Sequence, residues 1–484
     1  MKQKKRQPTS RYVLVLSILV VLLAACAPQT LQRVIVTPTP PQNIAVLEAA
    51  RPTDTQQPLT AVAAVATTVV SPTPTQTQAI ASPTQPTPLS SPALGQGDQV
   101  GPIIDEDYVP PPTSTPVPTD TPAPTFSPTP ALPPLDRELM GIQVYANVGI
   151  QDFYYTMEFT KPLDLGWVKF QVDWSNLQPD GPEQFDAAFS LFEDHVVRAK
   201  LAGHRVLLSV AKAPGWARST DVEAGPPDDP NTLANFLRFM LNRTKVGAHV
   251  DAVEVWNEPN LQREWQGTLP FDGQGYMQLF RPVYDAIQET HPQLAVITAG
   301  LAPTSTMPGS VDDRDFLQQM YDAGLAQYGD RVAVGVHPYG WGNPPDARCC
   351  QPGPERGWDE NRHFYFIHNL EEPREIMMRN GHTDAQMWVT EFGWATWEGF
   401  DSPRPVDQGW MDYVTPLLQA EYTSRAFEIG QGLDYVGPMI LWNLNFANSA
   451  LIERSDEKAG FSLLLPNRDG LPLQRPFYQY LAAS

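Results

Sequence analysis

Two glutamates stand at the ends of short, apolar, β-branched runs. One run reads Val253-Glu254-Val255-Trp256-Asn257-Glu258-Pro259-Asn260, the other Met387-Trp388-Val389-Thr390-Glu391-Phe392-Gly393-Trp394. A pair of carboxyl groups, one protonated and one ionised, can cleave an acetal C–O bond. The acid protonates the leaving oxygen while the carboxylate works from the other face of the ring. A lone glutamate at a strand end is ordinarily a solvated surface residue. Two of them, each wrapped in tryptophan and followed closely by Pro or Gly, are the strongest chemical signal in the chain. Glu254 is a rival carboxylate. On an extended strand it lies roughly 13 Å below Glu258, so the reading is a buried, paired residue that cannot reach the same bond.

Other residue types narrow the chemistry. Three cysteines, Cys26, Cys349 and Cys350, give neither a disulfide framework nor zinc-ligand spacing. The eight histidines are scattered, with no His-x-x-x-His pair beside a glutamate. The expectation is no catalytic metal and no cofactor. The adjacent Cys349 and Cys350 leave two readings open outside the cytoplasm, a vicinal disulfide or two free thiols.

The two glutamates need a scaffold that brings distant strand ends together. Eight strand-like runs follow Leu135: Gly141–Tyr145, Trp167–Asp173, Arg205–Ala211, Ala252–Asn257, Leu294–Ala299, Val332–His337, Met387–Glu391 and Met439–Trp442. Stretches of helical period separate most of them, among them Pro182–Ala202, Asn231–Asn242, Tyr276–Thr290, Arg314–Leu325, Phe364–Arg379 and Leu417–Ile429. Strands alternating with helices imply parallel βαβ units. Eight of them in about 350 residues predict an α/β fold, a (β/α)8 TIM barrel over residues 136–484, with chemistry at the C-terminal strand ends. A doubly wound open sheet is the alternative, weakened because no Gly-rich phosphate turn follows the first strand.

With Trp-Asn-Glu-Pro on the fourth run and Thr-Glu-Phe-Gly-Trp on the seventh, the domain resembles the clan A glycoside hydrolases, the 4/7 superfamily, in the flavour of the cellulase-like family five or the xylosidase-like family thirty-nine. The resemblance covers the whole globular part. It implies a retaining enzyme with Glu258 as acid/base and Glu391 as nucleophile. It also implies Asn257 on the sugar 2-hydroxyl, Trp442 as the floor of the central subsite, and His337 and Tyr339 beside the nucleophile. Many relatives carry an arginine near the end of the second strand. Here that run is Lys169-Phe170-Gln171-Val172-Asp173-Trp174, which leaves the support of the nucleophile in doubt. Retention requires the two carboxyl groups about 5–5.5 Å apart, against ~6.5–9.5 Å for inversion. The acid role requires a raised pKa at Glu258, for which Pro259 and Trp256 offer apolar surroundings.

Trp174, Trp216, Trp341, Trp394 and Trp442 all fall at or just after strand ends, where an aromatic face can stack on a sugar. The sugar role is favoured for Trp394 and Trp442; for Trp174, Trp216 and Trp341 it stands level with plain packing. Asp173 has two readings of equal weight, lining a subsite or capping a helix.

The N-terminus reads as an address. Residues 1–25 carry Lys2, Lys4, Lys5, Arg6 and Arg11, then an apolar run from Val13 to Ala25. The run is a signal peptide by its pattern and short for a membrane span. Its end, Leu23-Ala24-Ala25-Cys26, resembles a bacterial lipobox. That implies cleavage before Cys26, lipidation there, and an extracytoplasmic, lipid-anchored protein at the cell surface; Ala27 leaves the destination membrane open. Residues 26–135 hold 24 of the 51 prolines in Thr-Pro and Ser-Pro repeats and read as a disordered, extended Pro/Thr-rich tether. Essentially all of the net charge of −21 belongs to the domain that follows. That acidity argues against a nucleic-acid partner and is compatible with a neutral poly- or oligosaccharide. A monomer is expected. The rival function is a non-catalytic carbohydrate-binding surface lipoprotein.

Overall fold

A computed structural model describes residues 134–185, 187–220, 224–350, 358–467 and 470–484. The expected signal peptide, Cys26 and the tether up to residue 133 lie outside the described residues. Eight parallel strands close into a barrel in sequence order. They are β1 (Met140–Gln143), β2 (Trp167–Asp173), β3 (Arg205–Ala211), β4 (Ala252–Val255), β5 (Ala295–Thr298), β6 (Val332–Val336), β7 (Met387–Phe392) and β8 (Val436–Leu441). Each is followed by a helix: α1 (Ile150–Thr160), α2 (Ala187–Leu201), α3 (Pro230–Asn242), α4 (Gly273–Thr290), α5 (Asp313–Asp322), α6 (His368–Arg379), α7 (Pro416–Gln431) and α8 (Pro476–Ala483).

Local chemistry explains where these helices start. Asp229 caps α3 with Pro230 at its first position, Asp272 caps α4 through the Gly275 N–H, and Thr415 caps α7 ahead of Pro416. The helical pattern over 364–379 begins later than expected. Phe364 sits in a separate 3-10 turn, and α6 starts at His368.

Strand β2 shows how period-two alternation builds the interior. Val168, Phe170 and Val172 face outward into the core between barrel and helices, where Phe170 meets Phe153 of α1 edge-on. Trp167 and Lys169 point inward, and Gln171 and Asp173 reach the barrel mouth. The inward residues form levels. A floor of Trp167, Leu207, Ala252, Ile297, Trp388 and Ile440 plugs the barrel, with the two indoles edge to face at 5.1 Å. Above it lies a polar level.

Strand β4 ends two residues before the expected Asn257. Trp256 and Glu258 take left-handed backbone conformations, with φ of 76° and 41°, so the chain curls inward at the barrel mouth instead of running on extended. At β7 the register with β8 shifts between Val389 and Phe392. Such an irregularity breaks strict alternation and lets Thr390 and Glu391, neighbours in sequence, both engage the interior.

Candidate active site

Glu258 and Glu391 come together at the mouth of the barrel. A carboxylate oxygen of one lies within 4.8 Å of a carboxylate oxygen of the other. Glu391 is buried. Its Oε1 accepts from Lys169 Nζ at 3.0 Å and its Oε2 from the Tyr339 hydroxyl at 3.1 Å. Burial, then the carboxylates of Glu391 and Glu258, push the Tyr339 phenol well up, so it remains a donor. The Lys169 ammonium is fully buried and donates also to the Thr390 carbonyl at 3.1 Å. It pairs with Glu254 at 2.9 Å as well. Lys169 thus gives Glu391 a cation from β2, a strand that carries no arginine.

Glu254 is buried and paired, but it is not remote from the chemistry. One ammonium joins it to Glu391, and His337 Nε2 lies 3.8 Å from its Oε1. The depth expected for an extended strand does not apply, because the chain curls back at Trp256 and Glu258. Burial works against the Glu254 carboxylate, yet Lys169 and then His337 hold it well below the usual range.

Glu258 has a cation on each oxygen. His337 Nδ1 is 3.1 Å from Oε1, and Arg263 Nη2 donates to Oε2 at 3.2 Å. Burial would raise this carboxyl; His337 and then Arg263 outweigh it and hold it below its ordinary value. The raised pKa expected from Pro259 and Trp256 is therefore not what the free protein has: charge next to the group overrides the apolar surroundings. Burial likewise would lower His337, but Glu391, Glu254 and Glu258 hold its imidazole up at about 9. The His337–Glu258 contact thus keeps one buried proton, resting on the imidazole, and the two groups titrate as a pair.

The backbone is shaped to allow this cluster. The Glu258 N–H donates to the Gly300 carbonyl, and the Gly300 N–H donates to Glu254 Oε1 at 3.0 Å. A Cβ on Gly300 would fall 2.2 Å from the His337 ring, so only glycine lets the imidazole lie there. Asn260, fully buried, exchanges hydrogen bonds with Ala302 in both directions and pins the β4 loop to the β5 loop.

A cleft of about 1100 Å³ opens over these groups. Trp442, Tyr339, Trp341, Phe364 and Phe461 give it aromatic faces, and Asn257, Gln143 and Asp173 give it polar ones. Each of these last three has one buried side-chain oxygen that accepts from no group among the described residues. An orphaned acceptor beside a cavity is suited to a ligand hydroxyl. Asp173 lines the cleft and makes no capping hydrogen bond, pairing instead with Lys212 at 3.2 Å.

Three tryptophans do not line this cleft. Trp394 is buried and donates to the Asn343 carbonyl at 2.9 Å, holding the β6 loop. Trp174 stacks on Phe236 and bonds Gln178 Oε1 at 2.7 Å. Trp216 packs edge-on to Trp174 and bonds the Gln178 carbonyl. Their indoles satisfy backbone or side-chain acceptors in the wall, which position in sequence does not reveal. Cys349 and Cys350 are joined as a disulfide on the β6 loop, away from the cleft lining.

Lys169, Arg263 and Gln143 escaped the sequence reading. The signal for Lys169 was present, a cation set between Val168 and Phe170 inside a strand run. Glu258, His337 and Glu391 together offer three donor atoms with the spacing of a metal site. Lys169 and Arg263 already supply positive charge to both carboxylates.

No protein-family model matches the chain, and no curated protein does either. Among solved structures it is similar to a family 39 glycoside hydrolase from the gut symbiont Bacteroides cellulosilyticus WH2, at 18% identity and a TM-score of 0.51 over 73% of this chain. The chain spans 65% of that protein's length. It is also similar to the β-glycosidase BGL167, at 16% identity and TM-score 0.45 over 69% of this chain and 85% of that one. A third is the endo-β-1,4-glucanase Xac0029 from Xanthomonas axonopodis pv. citri, at 16% identity and TM-score 0.41 over 71% and 97%. What the likeness to the family 39 enzyme shows is the fold, a (β/α)8 barrel.

Proposed function

We propose that the chain is a retaining glycoside hydrolase that cleaves β-linked O-glycosidic bonds of a poly- or oligosaccharide by double displacement. The observation that carries this reading is the approach of a Glu258 carboxylate oxygen to within 4.8 Å of one of Glu391, a closeness that suits the retaining arrangement. In the first step Glu391 attacks the anomeric carbon, the bond to the leaving oxygen breaks, and Glu258, protonated in the substrate complex, gives that oxygen its proton. In the second, water attacks the glycosyl-enzyme, its proton passes to Glu258, and Glu391 leaves as carboxylate. Lys169 and Tyr339 hold Glu391 in its attacking position. Asn257 and Gln143 offer acceptors to sugar hydroxyls, and Trp442 offers a face to the ring. We further propose that Cys26 is lipidated and tethers the domain outside the cell.

The test is hydrolysis of a panel of chromogenic β-glycosides and soluble glucans, xylans and mannans, with NMR of the first-formed product. Retained anomeric configuration is expected. Glu391→Ala should lose turnover on the order of 10⁴-fold or more. Glu258→Ala should spare the first step for a very good leaving group, accumulate glycosyl-enzyme, and regain turnover with azide as a β-glycosyl azide. An inverted product, or equal loss in both variants whatever the leaving group, would falsify the assignment. Separately, Cys26→Ser should abolish lipid labelling and release the protein from membranes; a variant still lipidated and membrane-bound would rule out the anchor.

A further inference from the structure

A general acid needs a proton on its carboxyl and an open direction toward the leaving oxygen. In the resting site Glu258 has neither, because His337 faces Oε1 and Arg263 faces Oε2. The two cations differ in freedom. The His337 ring is buried, with Nε2 toward Glu254 and its edge against Gly300. The Arg263 side chain is 64% exposed on the β4 loop and lines the cleft beside Glu258. It also has another carboxylate at hand: its Nε is 3.8 Å from Glu264 Oε1.

We propose that Arg263 is a latch on Glu258: its guanidinium holds Oε2 while the cleft is empty, and a sugar residue entering on the leaving-group side pushes it toward Glu264, freeing Oε2. The inference rests on Glu258 being the acid/base. The acid donates to the leaving oxygen, so its own loop borders the leaving group, and Arg263 is on that loop. The destination is favourable. Burial and then Glu258 push the Glu264 carboxyl above its ordinary value, and burial does the same to Glu457 of the β8 loop, which Arg263 already counters. A cation arriving there relieves Glu264. The charged and titratable groups facing Glu258 are His337 after β6, Tyr339 beyond it, Glu391 on β7, Arg263 and Glu264 on its own loop, and Glu457. Lys212 and Lys458 also line the cleft and act on Glu264, but among the described residues Arg263 is the exposed cation that donates to Glu258. Arg263 is thus a positioning residue that couples occupancy of the cleft to the protonation of the acid.

Three measurements on the full chain test the latch. Infrared difference spectra between the protein and its Glu258→Gln form read the Glu258 carboxyl without turnover. In an Arg263→Gln background its titration should move up by roughly one pH unit, the low end for loss of an adjacent opposite charge. With an oligosaccharide substrate, kcat/KM reports the free enzyme and kcat the complex. In the wild type the alkaline limb of kcat should lie above that of kcat/KM, and in Arg263→Gln the two should converge. Arg263→Lys should restore part of the gap. An unmoved carboxyl titration, or limbs that coincide already in the wild type, overturns the latch even if Arg263→Gln lowers the melting temperature. A wild type that hydrolyses nothing overturns the glycosidase reading, and the infrared arm still decides whether Arg263 governs Glu258.

Discussion

The floor of the barrel and the level above it are built on the same strands, two residues apart. Trp167 and Lys169 on β2, Ala252 and Glu254 on β4, Trp388 and Thr390 on β7 alternate between the two. The floor is held by apolar burial, which is non-directional, and any set of side chains of the right volume will serve. The upper level is held by charge in a water-poor interior, where each carboxylate needs a named partner. The difference teaches that one barrel interior supplies apolar packing at one height and a cluster of buried ions at the next.

Breaking the upper level should have the larger effect. Lys169→Met removes the ammonium that joins Glu254 to Glu391 and leaves His337 as the one cation near both buried carboxylates among the described residues. The expected result is a loss of about 3–5 kcal/mol of stability, together with loss of turnover that Lys169→Arg partly restores. Denaturant unfolding and single-turnover kinetics check both; a Lys169→Met variant as stable and active as wild type would mean the ammonium is dispensable. Breaking the floor should separate the two properties. Leu207→Ala should cost about 2–5 kcal/mol through transfer and cavity terms. At temperatures where the variant is folded, kcat/KM should stay within a few-fold of wild type, and a selective collapse of kcat would show that the floor positions the charges above it.

A smaller effect sharpens the comparison at the rim. His363 lies between Asp313, 2.8 Å from Nδ1, and Asp312, 3.1 Å from Nε2. Its neighbour Phe364 packs on Trp341 at 4.2 Å in the cleft wall. Burial would lower His363, but Asp312 and Asp313 outweigh it, against Arg314, and hold it at about 9 from an ordinary 6.5. A group raised in the folded state contributes stability that is complete below the unfolded pKa and is lost as pH rises through the folded one. The wild type should therefore lose stability between about pH 6.5 and pH 9, with His337 adding to the slope in the same window. In His363→Gln the slope should be shallower, leaving the His337 share. Equal slopes in melting-temperature profiles would mean His363 is not charged in the folded protein.

Much of this was legible in the sequence, for definite reasons. The strand runs of β2 and β3 match residue for residue, because alternation or apolar continuity is local and short-ranged. Glu258 and Glu391 stood out because each ends such a run. The strand ends were less legible. Val255 closes β4 early through left-handed backbone at Trp256 and Glu258, conformations that nothing in those residue types announces. The tryptophans divide the same way. Trp394 and Trp442 look alike in sequence, yet one indole is spent on the Asn343 carbonyl while the other faces the cleft.

By itself, the sequence determined the alternation of strands and helices, the count of eight, and the two glutamates at strand ends. These follow from hydrophobic period and residue type, which are properties of neighbours along the chain. Only the tertiary structure decided that Lys169 would join Glu254 to Glu391 and that Arg263 and His337 would each take an oxygen of Glu258. A protonation state depends on which charges are brought within a few ångströms across strands β2, β4, β6 and β7. That is fixed by closure of the barrel, not by the order of its residues.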